Sequence, residues 1–127
     1  MDTNNIPLLL LDSQMLSYVL GNGEYRFTNL KFAEAKAILD MNGTENVVKC
    51  YMNPEIDMAL HKYVGIDEDI VFPYEETHEI KIGQDAIAIK FYYTPSGTQP
   101  IILGEEGQQA KKIRNVYVYC QHIVRLK

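Results

Sequence analysis

The sequence predicts a single α+β domain, a mixed β-sheet flanked by two to three helices. Three observations predict it. Strand-like segments occur at both ends of the chain, where Ile6 to Leu11 is an apolar run and Ala86 to Tyr93 alternates side by side. Two amphipathic stretches at helical spacing lie between them, and their irregular interleaving with the strands fits a sheet with helices packed on it. The length of 127 residues suits one hydrophobic core rather than two.

Each element has its own signal. Ile6 to Leu11 reads as a buried strand, with Leu8 to Leu11 in the sheet. Tyr18 to Gly23 reads as a loop closed by Gly21-Asn22-Gly23, and Glu24 to Leu30 begins extended. A helix is expected from about Lys31 to Asn42, with Lys31 to Leu39 as its body, because Phe32, Ala35, Ile38 and Leu39 share a face and Asn42-Gly43 ends it. Val47 to Tyr51 returns to strand, with Val48 and Cys50 facing one way and Val47, Lys49 and Tyr51 the other. Asn53-Pro54-Glu55 then starts a second helix, Pro54 to Tyr63: Asn53 caps, Pro54 suits the first helical position, and Glu55 favours the positive dipole end. Ile56, Ala59, Leu60 and Tyr63 form its buried stripe, and Gly65 stops it.

The second half reads mostly as strands. Ile70 to Phe72 and His78 to Ile82 are short candidates, and Ala86 to Tyr93 is the strongest. Pro95-Ser96-Gly97 turns the chain, Glu105 to Ile113 is weakly helical despite Gly107, and Val116 to Leu126 alternates in a last strand.

Composition narrows the function classes. Hydrophobic residues make up 46% and charged residues 23%, ordinary for a globular chain. A net charge of −5 lacks the basic footprint of a DNA- or RNA-duplex binder, so a polyanion would need a local pocket. Ile6 to Leu11 is too short for a bilayer and follows Asp2 rather than a basic segment, so neither a membrane partner nor a leader is expected. Cys50 and Cys120 sit in apolar segments without CxxC spacing and read as reduced core thiols of a cytoplasmic protein.

Isolated motifs add little chemistry. His61, His78 and His122 are far apart and form no HExxH or HxH pattern, so no metal site and no cofactor is expected. His61 reads as a surface residue of a helix, and His78 and His122 as strand residues. Asp67-Glu68-Asp69 lacks the spaced ligands of a calcium loop and reads as a solvated turn. Gly21-Asn22-Gly23 precedes a strand rather than a helix, which is not a nucleotide fingerprint. Asn42-Gly43-Thr44 matches a glycosylation acceptor in form and reads as a turn.

Taken in order, several segments resemble the small viral and mobile-element family that includes type III anti-CRISPR ring nucleases. The residues that carry the resemblance are Leu10-Leu11-Asp12-Ser13-Gln14-Met15-Leu16, Gly23-Glu24-Tyr25-Arg26-Phe27, Phe32-Ala33-Glu34-Ala35-Lys36, Val64-Gly65-Ile66 and Gly83-Gln84-Asp85-Ala86-Ile87. The resemblance implies a homodimer of a mixed sheet flanked by helices, binding a cyclic oligonucleotide at the dimer interface. In that family a ribose 2′-hydroxyl attacks the phosphodiester, and a histidine at the start of the second helix protonates the leaving oxygen.

This chain departs from the pattern where the chemistry sits. Asn53 stands at the position of the histidine, and asparagine has no titrating proton near neutral pH. The family's arginine after the last motif corresponds to Thr94 or Pro95, and its first-turn asparagine to Asp12; Ser13 is retained. Glu55 and Asp57 add negative charge near the helix start. The resemblance therefore implies a non-catalytic binding protein that sequesters a cyclic nucleotide signal and counters antiviral defence in the cytoplasm of a prokaryotic host. Its ligand-binding residues would be Asp12, Ser13, Tyr25, Arg26 and Asn53, with Tyr25 as a stacking surface and no catalytic residue. Two other readings stand beside it: a ring phosphodiesterase whose acid has moved to His61 or His78, and an interaction module that kept the fold without the ligand.

Overall fold

Leu8, Leu9, Leu10 and Leu11 are completely buried, because the strand they form, β1 (Leu8–Asp12), has a neighbour on each side and a packed layer on each face. A strand so placed is encoded by an unbroken apolar run rather than an alternation. The computed structural model describes residues 6–93, 111–113 and 116–127. Parallel partners flank β1: β3 (Val47–Lys49), with Leu9 opposite Val48, and β4 (Asp85–Tyr93), with Leu10 opposite Ile87. The sheet continues antiparallel through β6 (Val116–Arg125) to β2 (Tyr25–Leu30), in the order β2-β6-β4-β1-β3. A short strand, β5 (Lys111–Ile113), pairs with the first residues of β6.

Two helices cover one face. In α2 (Phe32–Asn42) the residues Phe32, Ala35 and Leu39 are buried, and in α3 (Pro54–Ala59) Ile56 and Ala59 are buried. They pack with Leu8, Leu10, Ile87, Ile89, Val118 and Cys120 in one cluster. Glu34 accepts the Lys31 backbone N–H at 2.8 Å, which satisfies one of the free donors at the start of α2. The turn Leu60–Val64 that extends α3 is widened: the Gly65 N–H reaches the Leu60 carbonyl at 2.9 Å, and Gly65 takes φ +92°, a conformation that costs glycine little.

The opposite face buries Leu9, Leu11, Ala86, Ala88 and Ile123 under Val19 and Ile80. Val19 belongs to α1 (Leu16–Val19), which follows a 3₁₀ turn, Ser13–Met15. Ile80 arrives on the strap between α3 and β4, held by its N–H to the Val19 carbonyl at 2.9 Å. Arg125 secures this layer. Its guanidinium donates to the carbonyls of Ile80 (2.7 Å), Asn22 (2.8 Å) and Lys127 (3.0 Å). Gln84, buried in front of β4, joins the strap to the start of the sheet by donating to the Pro7 carbonyl and accepting from the Lys81 N–H.

Several expectations need correction. Residues 13–19 are helical where Tyr18 to Gly23 was expected to be loop from its first residue. Ile70 to Phe72 and His78 to Ile82 are not strands: Phe72 and Ile80 are buried as single plugs, and the segment between them makes one isolated bridge, Lys49 with Tyr74. Lys111–Ile113, expected at the end of a weak helix, is strand, while residues 105–110 of that expectation lie outside the described residues, as do Pro95-Ser96-Gly97. The third strand ends at Lys49 rather than Tyr51, because the chain bends so that both the Cys50 and Tyr51 side chains are buried. Among the described residues, no helix is long and apolar enough to cross a membrane.

Candidate functional site

The three parallel strands, β1, β3 and β4, point their carboxyl ends to one edge. Such an edge is where open α/β sheets present the loops and helix N-termini that hold ligands. Asp12 ends β1 and Ser13 follows it. On the adjacent strand the Cys50 N–H bonds the Leu10 carbonyl at 3.0 Å, so the segment leading to Asn53 leaves the sheet beside Asp12 and Ser13. The structure thus brings three of the expected residues to one edge.

Their hydrogen bonds differ in what they leave over. Asp12 is 9% exposed, and its carboxylate accepts the Gln14 N–H at 3.1 Å, capping the 3₁₀ turn. Asn53 Oδ1 accepts the Glu55 N–H at 3.0 Å, the cap expected of Asn-Pro-Glu. The Asn53 amide N–H₂ and the Ser13 hydroxyl make no hydrogen bond with any described residue. Two neutral donors are therefore open at neighbouring strand ends, each at the start of a helical turn.

The charge expected here is reduced. Asp57 does not face outward: its carboxylate accepts the Tyr51 hydroxyl at 2.6 Å and meets Lys49 Nζ at 3.2 Å. Burial, reinforced by the bond to Asp57, drives the Tyr51 phenol upward from its ordinary pKa, so it remains a proton donor to that carboxylate. Of the two acids expected near the start of α3, only Glu55 is left without an ion-pair partner among the described residues. Lys49 and Asp57 also line a cleft of about 120 Å³ with His61, Leu60, Ile66 and Phe72.

Tyr25 and Arg26 are placed elsewhere. They begin β2, and Arg26 stands in one row with Val124 and Asp85, the first residue of β4. That row is at the amino end of the parallel strands, and three strands lie between β2 and β3. As neighbours in a strand they also point to opposite faces. Tyr25 is committed to the fold, its hydroxyl donating to the Gly21 carbonyl at 3.0 Å and its ring 5.8 Å from the Arg125 guanidinium. Within one chain, the five expected residues do not line one pocket.

Two of the three histidines differ from expectation. His61 is half-buried rather than on the surface, with Nδ1 3.0 Å from the Ile66 carbonyl. His78 lies in the strap, Nδ1 2.6 Å from the Glu79 carbonyl. His122 lies in β6, a strand as expected, and among the described residues it is the histidine that pairs with a carboxylate, Nε2 to Asp85 at 2.9 Å. The Asp85–His122 and Lys49–Asp57–Tyr51 groupings had no sequence signal, since strand register and helix packing create them. Cys50 and Cys120 are buried and unpaired, and burial pushes their thiols up to about 11 and about 12. No family model and no curated protein matches this chain.

Proposed function

We propose that the protein binds a cyclic nucleotide at the carboxyl edge of its parallel strands and sequesters it without cleavage. The observation that carries this reading is the pair of open neutral donors, Ser13 Oγ and Asn53 Nδ2, at adjacent strand ends. A phosphodiester anion accepts hydrogen bonds from two such donors. Neither group supplies a titrating proton, and Asp12, the third residue there, is a capping acceptor. Binding without general acid help follows, since that help is worth about 100- to 10,000-fold in rate. A homodimer completes the concave site, and the setting is the cytoplasm of a prokaryotic cell whose antiviral signal is withdrawn.

Incubation with a panel of cyclic dinucleotides and cyclic oligoadenylates, read by thermal shift and by product chromatography, tests the proposal. A shift with unchanged ligand is the expected result, and Ser13→Ala combined with Asn53→Ala abolishes it. Multiple-turnover cleavage, or no shift with any ligand, overturns it. Light scattering at micromolar concentration is expected to give the mass of two chains.

A further inference from the structure

On the helix-covered side of the sheet, strand pairing sets six residues in two rows. Arg26, Val124 and Asp85 form the first, and Thr28, His122 and Ile87 the second. Directly opposed side chains in such rows are about 5 Å apart and diagonal ones about 7–8 Å. His122 is therefore flanked by Thr28, with Asp85 on one diagonal and Arg26 on the other. The first diagonal is closed by the 2.9 Å contact of His122 Nε2 with Asp85. The second is open.

Arg26 and Thr28 are exposed, and neither side chain makes a hydrogen bond or ion pair with any described residue. His122 Nδ1 likewise has no described partner. Glu24, the residue before β2, pairs with Lys127 at 3.5 Å. Val124, opposite Arg26 in the register, is half-buried, so a cation, a hydroxyl and a ring nitrogen stand on neighbouring positions of this face.

We propose that Arg26, Thr28 and His122 form a binding site for a phosphate monoester, separate from the carboxyl edge and independent of the reading given for it. Arg26 offers two parallel donors to phosphate oxygens, and Thr28 adds a hydroxyl donor. Asp85 accepts from Nε2–H, which leaves Nδ1 as the ring nitrogen available to a ligand. One proton is then shared across the contact: a protonated Nδ1–H donates to a phosphate dianion, or a neutral Nδ1 accepts from a P–OH group. A diester has neither the second charge nor the P–OH, so the site selects the monoester.

The test is an NMR titration of the protein with methyl phosphate, dimethyl phosphate, inorganic phosphate and adenosine monophosphate. Methyl phosphate is expected to move the His122 ring signals and the Arg26 and Thr28 amides. Dimethyl phosphate binds about tenfold more weakly, and Arg26→Ala weakens methyl phosphate by about tenfold, the loss of a charge-assisted contact. His122→Asn keeps the fold's exposed surface and removes the preference for monoester over diester. Tighter binding of the nucleotide than of inorganic phosphate identifies a nucleotide terminus as the ligand, and equal binding identifies phosphate itself. Perturbations that miss His122, survive Arg26→Ala, or are equal for the mono- and diester overturn the proposal.

Discussion

The carboxyl edge of the sheet and the row of side chains at its other end make opposite use of polar residues. At the edge, Asp12 and Asn53 cap helical turns and Asp57 is held by Tyr51 and Lys49, so most of the polar capacity is spent on the fold. On the sheet face, Arg26 and Thr28 make no bond with any described residue, and His122 uses one nitrogen. The difference teaches that a polar residue near a strand end is first a structural cap, and only the valence it leaves over is available to a ligand. Ser13 and one half of Asn53 are what the edge leaves over.

The largest expected effect concerns the core on which both regions rest. Cys50 lies in the cluster of the strap-covered face and Cys120 in that of the helix-covered face, and both are buried. With their thiols at about 11 and about 12, labelling by a thiol reagent at pH 8 is expected to be at least about a hundredfold slower than in urea. Fast labelling of Cys50 alone would show the strap side to be open. Because both folded values lie above the ordinary thiol value near 9, the thiols do not penalise the fold below pH 9. Their burial destabilises it progressively as pH rises above 9, levelling off once pH passes about 11 for Cys50 and about 12 for Cys120, measured by denaturant midpoints from pH 9 upward.

Next come the residues spent on structure. Asp57→Ala leaves the buried Tyr51 hydroxyl without its acceptor and is expected to cost about 2 kcal/mol in urea unfolding. Asn53→Ala removes a cap and is expected to cost about 1 kcal/mol. The smallest effect belongs to the other region: Arg26→Ala, at an exposed position, should stay within about 0.5 kcal/mol of the parent. A larger loss there would mean that Arg26 supports the fold, and the contrast between the two regions would fail.

The fold was legible where local pattern and tertiary role agree. The apolar run of β1, the alternation of β4 and the Asn53-Pro54 helix start are each encoded in a few adjacent residues. The strap after α3 was not, because Phe72 and Ile80 are apolar for plugging the two faces rather than for pairing as strands. For the site, the resemblance pointed to Ser13 and Asn53, and parallel pairing of β1 with β3 does put them on one edge. It also pointed to Tyr25 and Arg26 as one group, which strand alternation divides between two faces. The Arg26–His122 juxtaposition depends on the register between distant strands, which no local pattern specifies.

Backbone amide NMR mapping with a bound cyclic oligonucleotide tests the central claim most directly, because it reports both regions at once. The account predicts shifts concentrated at Ser13 and Gln14 and at Asn53 and Glu55, lost in the Ser13→Ala, Asn53→Ala double variant. Shifts confined to the strands around Arg26 and His122, with residues 12–14 and 53–55 unmoved, would contradict it.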